Sequence, residues 1–180
     1  GDTLCSGNLT SFSAVAVNGG SLPAYQWTVN GIVTGIGSHY NYIPVSGDVV
    51  GVTLTSNAQC ASPSVVNNAR TLTVNTQLTP SVIVAATPGT EVCQGTMVEY
   101  NAMPTAGGSS PVYSWIVNGN TMGSTATYSY APSNADHVYC VLTSSYRCRT
   151  ANNATSNQLN MVVDLATAPI VNISAQPGTQ

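Results

Sequence analysis

The chain has no lysine, and its only cations apart from two histidines are Arg70, Arg147 and Arg149. Charged residues make up 5% of the 180, against roughly 25% in ordinary globular proteins. A net charge of −3 without a basic cluster excludes nucleic-acid binding, which needs phosphate-neutralising side chains. It also excludes attraction to anionic membranes. Apolar runs stop at about five residues where a spanning helix needs roughly 20. A glycine-rich phosphate loop ending in lysine, and a lysine–asparagine isopeptide bond, are chemically unavailable. The six carboxylates Asp2, Asp48, Glu91, Glu99, Asp136 and Asp164 nowhere reach the density of a calcium loop. His39 and His137 have no nucleophile or acid in a familiar spacing. The sequence therefore predicts no catalytic residue, no metal and no cofactor.

What is present is a repeat. Aligning residues 1–60 with 89–148 gives 23 identities in 60 positions without a gap. Cys5 falls on Cys93 and Cys60 on Cys148, while Pro23, Tyr25 and Trp27 fall on Pro111, Tyr113 and Trp115. Val29-Asn30-Gly31 recurs as Val117-Asn118-Gly119, and Tyr40, Tyr42, Pro44 and Asp48 as Tyr128, Tyr130, Pro132 and Asp136. After Cys148 the offset becomes 89, so one residue is expected to be inserted between Cys148 and Ser156. Self-similarity of this length means tandem modules. A period near 90 residues is one small β-sandwich, each with a modest core. The boundaries follow as 1–79 for a first module lacking its first strand and 80–168 for a second. Residues 169–180 would be the first strand of a following repeat, and the chain reads as two periods of a longer polypeptide.

Period-two alternation supports strands, as in Tyr25-x-Trp27-x-Val29, Val50-x-Val52-x-Leu54 and Val138-x-Cys140-x-Leu142. Turn signals such as Asn30-Gly31, Gly107-Gly108 and Asn118-Gly119 separate them. Trp27, Trp115, Tyr25 and Tyr113 are expected in the cores, on one face of their strands. Asp48 and Asp136 are expected to anchor turns by accepting backbone hydrogen bonds. Cys140 stands where the first repeat has Val52, and reads as a buried free thiol.

The pattern Cys-x-Gly, Gly-Gly-x-x-Pro-x-Tyr-x-Trp-x-Val-Asn-Gly, Tyr-x-Tyr-x-Pro, Asp-x-Val and Leu-Thr-Ser-x-x-x-Cys resembles PKD-like and immunoglobulin-like repeats. Such repeats occur in very large secreted surface proteins of Bacteroidota, including gliding-motility adhesins exported by the type IX system. The resemblance covers both periods. It implies an all-β fold of two tandem immunoglobulin-like sandwiches in a secreted, cell-surface adhesin or filament. Neighbouring repeats would be the partners, with surface glycans or other adhesive substrata as further candidates. The alternative is a carbohydrate-binding accessory region of a secreted polysaccharide-degrading enzyme.

Cysteines at fixed spacing point to an oxidising compartment. Cys5–Cys60 and Cys93–Cys148 are the simple pairings, each closing a loop worth about 4 kcal/mol. Against them, those points lie near opposite ends of such a sandwich, and a disulfide needs Cα atoms within about 7 Å. The other pairing joins Cys5 of one module to Cys148 of the next. Tyr146, Arg147 and Arg149, in the loop after the sixth strand, form a candidate recognition loop. The surplus strand at 169–175 could complete the first module of another copy, giving head-to-tail association.

Overall fold

The computed structural model describes residues 4–175. Asp2 and the last five residues of the expected following strand, 176–180, lie outside the described residues. The chain divides into two compact units, Gly1–Thr79 with Tyr146–Thr150, and Pro80–Ser145 with Ala151–Gln180. The first unit takes the loop Tyr146–Thr150, and the second runs on through 169–180, which the sequence assigns to a following repeat. All regular structure among the described residues is strand.

Unit 1 contains β1 (Leu4–Cys5), β2 (Thr10–Ser13), β3 (Ala24–Val29), β4 (Ile32–Ile36), β5 (His39–Tyr42), β6 (Val49–Thr55), β7 (Val65–Thr71) and β8 (Val74–Asn75). Its larger sheet runs β4-β3-β6-β7, and the opposing sheet is only the pair β2-β5. A short parallel pair, β1 with β8, accompanies them.

Unit 2 contains β9 (Ser81–Thr87), β10 (Glu91–Cys93), β11 (Val98–Thr105), β12 (Val112–Val117), β13 (Asn120–Gly123) and β14 (Thr127–Tyr130). It continues with β15 (His137–Thr143), β16 (Asn153–Thr155), β17 (Leu159–Asn160) and β18 (Val162–Asp164). One sheet is β14-β11-β9, the other β13-β12-β15-β16 with β17 on the same β15 edge. β10 pairs in parallel with β18. This three-strand sheet facing a four-strand sheet is an immunoglobulin-like sandwich.

Alternation builds the core of unit 2. Val98, Tyr100 and Ala102 of β11 face Tyr113, Trp115 and Val117 of β12 and Val138, Cys140 and Leu142 of β15, all buried. Val82 and Val84 of β9 close one side. Unit 1 uses the same positions but buries only Trp27, Val50 and Leu72 fully, with Phe12, Tyr40, Tyr42 and Val52 half-buried around them. The difference has a visible cause: among the described residues no strand lies on β2 as β9 lies on β11. In unit 2, residues 103–105 of β11 are laddered to β9, while β14 pairs only with Val98–Asn101 and the Ala102 amide adds one bond to the Ala126 carbonyl at 2.9 Å. In unit 1, residues 14–17, the equivalents of 102–105, carry no strand, and β2 stops at Ser13. In place of a ladder, the Ala14 amide donates to the Ser38 carbonyl at 2.9 Å and the Ala16 amide to the Tyr25 hydroxyl at 3.1 Å. Val15 and Val17 are left 89% and 80% exposed.

The inserted residue sits further along than the sequence offset indicates. Thr53 pairs with Asn67 as Val141 does with Thr155, so the offset there is still 88. Val50 pairs with Arg70 as Val138 does with Leu159, where it is 89. The extra residue therefore lies within Ser156–Gln158, a bulge that splits β16 from β17 where β7 runs straight. It is accommodated by the Ser156 hydroxyl, which accepts a hydrogen bond from the Cys140 amide at 2.9 Å.

Candidate functional site

Each unit repeats one polar clamp. Asn30-Gly31 and Asn118-Gly119 form two-residue hairpin turns, with φ of 52° and 81° in the first and 51° and 82° in the second. Asn and Gly tolerate this left-handed backbone, which matches the strand twist. The turn places Asn30 so that its amide donates to Asp48 Oδ1 at 2.9 Å and its carbonyl accepts from the Val49 amide at 2.8 Å. The other oxygen of Asp48 accepts from the Val45 amide at 2.9 Å and, at 3.5 Å, from the Tyr42 hydroxyl. In unit 2, Asn118 donates to Asp136 at 2.7 Å, and Asp136 accepts from the Ser133 amide at 2.8 Å and from Tyr130 at 3.1 Å. Asp48 and Asp136 thus tie a hairpin, a turn and a tyrosine in each sandwich.

The electrostatics follow from these bonds. The Val45 amide and Asn30 hold the Asp48 carboxyl below its ordinary range. Burial pushes Asp136 the other way, but the Ser133 amide, Asn118 and Tyr130 outweigh it and its carboxyl is also lowered. Burial and the Asp48 charge push the Tyr42 phenol up to about 12, and burial with the Tyr100 neighbour raises Tyr130 further. Neither carboxylate has the raised pKa a general acid requires.

The aromatics are stacked inwards. Trp27 and Trp115 donate from the indole nitrogen to the carbonyls of Gly37 and Thr125, both at 2.8 Å. Tyr40 and Tyr42 stack with centroids 5.3 Å apart, as Tyr128 and Tyr130 do at 5.4 Å. Tyr113 is buried; Tyr25 is half-buried and its hydroxyl accepts from the Ala16 amide at 3.1 Å. None of the twelve aromatic side chains is in the exposed class, and a sugar platform would need several in a row.

The cysteines differ from the within-repeat pairs. Cys5 is bonded to Cys148, 143 residues away, with Cα atoms 5.4 Å apart. Cys60 and Cys93 are free and exposed, and Cys140 is free and buried. The bond closes within unit 1 because the loop Tyr146–Thr150 belongs to that unit. Leu78 bridges to Arg149, the Tyr146 hydroxyl donates to the Thr76 carbonyl at 2.8 Å, and Thr79 and Thr150 share a hydrogen bond at 2.7 Å. Arg149 donates to the Tyr146 carbonyl at 2.9 Å. Tyr146 and Arg149, read from the sequence as recognition residues, are therefore held in the loop's own packing, and Arg147 alone of the three is exposed. The cysteine spacing alone misleads here, since it is the same within each repeat and says nothing of this loop. The asparagines of the clamp were missed as well, although Asn30 and Asn118 recur with their aspartates.

Concavities lie on unit 1. One of ≈ 440 Å³ is lined by Ser13, Ala14, Val15, Tyr25, Leu54 and Asn68, among others. A smaller one of ≈ 170 Å³ includes Phe12, Trp27, Val50 and Asn68. Both follow the β2 edge where β9 would lie. Cys60 lines a third, of ≈ 640 Å³, with Val17, Ala58 and Pro63. Among the described residues no group of three or more His, Cys, Asp or Glu is placed to hold a metal ion. None of these three clefts gathers an acid, a base and a nucleophile.

The geometry defines two immunoglobulin-like β-sandwich repeats. No family model and no curated protein matches the chain. Among solved structures, it is similar to the fibronectin(III)-like modules of Clostridium thermocellum CbhA, at 11% identity and a TM-score of 0.41, over 97% of this chain and 95% of that one. It is also similar to the three N-terminal domains of the bacteriophage RB49 highly immunogenic outer capsid protein. There the identity is 14% and the TM-score 0.40, over 89% of this chain and 55% of that one. These likenesses are distant; the strand order above is what defines the fold.

Proposed function

We propose that the chain is a non-catalytic repeat segment of a secreted cell-surface adhesin or extracellular filament, of the gliding-motility type, acting as a stiff spacer and display module. The observation that carries this reading is the Cys5–Cys148 bond, which ties β1 to the loop Tyr146–Thr150 within unit 1. A tensile load applied at the two ends passes through that covalent bond and bypasses the segment between its two cysteines, which stand 143 positions apart in sequence. Disulfides of this kind persist in oxidising surroundings, in keeping with secretion. The repeated carboxylates serve the turn clamp, and the aromatics are packed inwards, which favours a mechanical role over a sugar-binding one.

End-to-end pulling of single molecules tests it. Under oxidising conditions the chain should extend without releasing the enclosed segment; after reduction it should lengthen by a further ~500 Å, at about 3.5 Å per residue. A glycan array and a panel of polysaccharides should show neither binding nor turnover. Equal extension in both redox states, or turnover of any glycan, contradicts the reading.

A further inference from the structure

We infer that Asn30-Gly31 and Asn118-Gly119 are sites of spontaneous deamidation, that Asp48 and Asp136 hold each in check, and that conversion of either asparagine keeps its clamp from closing again. The inference does not depend on the surface role proposed above.

The dipeptide sets the chemistry. In Asn-Gly the glycine backbone nitrogen can attack the asparagine Cγ, because the glycine carries no side chain to hinder the approach. The new bond joins that nitrogen to Cγ and closes a five-membered imide. The Cγ–Nδ2 bond breaks, and the side-chain nitrogen leaves as ammonia, with the proton that the backbone nitrogen gave up. Water then opens the ring. Addition at Cγ gives aspartate, and addition at the main-chain carbonyl gives isoaspartate. Water is the other reactant, and nothing is oxidised or reduced. Both turns are open to it. Gly31 and Gly119 are exposed, with φ of 81° and 82° and nothing within 4 Å of where a Cβ would stand. Asn30 and Asn118 are exposed as well.

The clamp is what restrains the reaction. Both ends of each asparagine side chain are engaged across the hairpin and not at its own glycine. Asn30 donates to Asp48 Oδ1 at 2.9 Å and accepts from the Val49 amide at 2.8 Å. Asn118 donates to Asp136 Oδ1 at 2.7 Å and accepts from the His137 amide at 2.9 Å. For Cγ to meet the glycine nitrogen, the side chain must rotate out of both bonds. The bond to the charged aspartate is the stronger of the two, which gives Asp48 and Asp136 the restraining role. A hydrogen bond of this kind shifts an opening equilibrium by roughly tenfold to a hundredfold. The third such dipeptide, Asn18-Gly19, supplies a reference. Its contact is through the main chain, the Asn18 carbonyl accepting from the Ser56 hydroxyl at 2.9 Å.

Conversion reverses the contact. The donor Nδ2 gives way to a carboxylate oxygen set against the aspartate oxygen, and two acceptors of like charge repel there. Isoaspartate also adds one carbon to the main chain within a turn whose length fixes the register of its strands. The change is therefore one-way at each hairpin.

Peptide mapping with isoaspartate detection, after incubation at neutral pH in buffer and in urea, tests this. In urea Asn18, Asn30 and Asn118 should convert at similar rates. In the native chain Asn30 and Asn118 should convert about tenfold more slowly than in urea, or slower still. Asp136→Ala should speed Asn118 by about tenfold and leave Asn18 and Asn30 unchanged; Asp48→Ala should speed Asn30 alone. Asp136→Asn should have a smaller effect, because its amide oxygen still accepts. Hydrogen-exchange protection in β12 and β15 shows whether unit 2 is folded in each variant, and Asp136→Asn carries the comparison should Asp136→Ala unfold it. Asn118→Asp, which makes the product directly, should lower the denaturation midpoint of unit 2. Native rates equal to those in urea, an Asn118 rate unmoved in a folded Asp136 variant, or an Asn118→Asp chain as stable as its parent would overturn the proposal.

Discussion

Opening the Cys5–Cys148 bond should unfold unit 1 and spare unit 2. Cys5→Ser with Cys148→Ala removes the bond without leaving a buried thiol, Cys148 being 2% exposed. In the chain-entropy model, a loop of 143 residues is worth about 5 kcal/mol. If only the part of unit 1 before Thr79 unfolds, the effective loop is about 75 residues and the figure falls to about 4.5 kcal/mol, because closure entropy depends only on the logarithm of length. Domains of this size are stable by 5–15 kcal/mol, and unit 1, with three fully buried apolar residues, belongs at the low end. The loss is comparable to everything unit 1 has. Native-state hydrogen exchange read by segment is the assay, because it reports the two units separately. Amides of β3 and β6 should lose about a thousandfold in protection, at 1.4 kcal/mol per factor of ten, whereas β12 and β15 keep theirs. Cys93→Ser, at an exposed free thiol, is the control and should change stability by less than about 0.5 kcal/mol. Unchanged protection in β3 and β6, or equal loss in both units, refutes the reasoning.

Three further outcomes can be checked by denaturation of unit 2. The Tyr100 hydroxyl is buried with no hydrogen-bond partner, and its counterpart is Phe12, so Tyr100→Phe should stabilise by about 1 kcal/mol; a loss of that size would contradict the packing. Ala135 has φ of 66° where Gly47 has 94°, so Ala135→Gly should relieve a left-handed strain of about 1–2 kcal/mol, less the ~0.5–1 kcal/mol entropy cost of glycine. A destabilised variant would show that the strain is not there. The lowered pKa of Asp136 means its contribution is full above the unfolded value near 4 and is lost as pH falls through the folded value. Stability should therefore drop below about pH 4, and Asp136→Asn should flatten that drop; an unchanged acid limb would count against the clamp.

Much of the fold was legible because local signals and the repeat agree. Asn30-Gly31 and Asn118-Gly119 announce hairpins that only a left-handed turn can make, and the spacing of Tyr113, Trp115 and Val117 gives one face of a buried strand. Residues that act through partners distant in sequence were harder to read. The cysteines repeat with equal spacing, so within-repeat pairing looks natural, and only the grouping of Tyr146–Thr150 with unit 1 selects Cys148 for Cys5. The inserted residue was misplaced because that stretch has few identities, and a ladder register is needed to locate a bulge. The alternation at Phe12, Ala14 and Ala16 promises a full core in unit 1; among the described residues no strand covers that edge of β2, and the face stays half-covered.

Peptide mapping of the oxidised chain without reductant tests the central claim most directly. A cross-linked pair containing Cys5 and Cys148, with Cys60, Cys93 and Cys140 recovered as thiols from freshly prepared monomer, is the predicted result. Peptides joining Cys5 to Cys60 and Cys93 to Cys148 would contradict it.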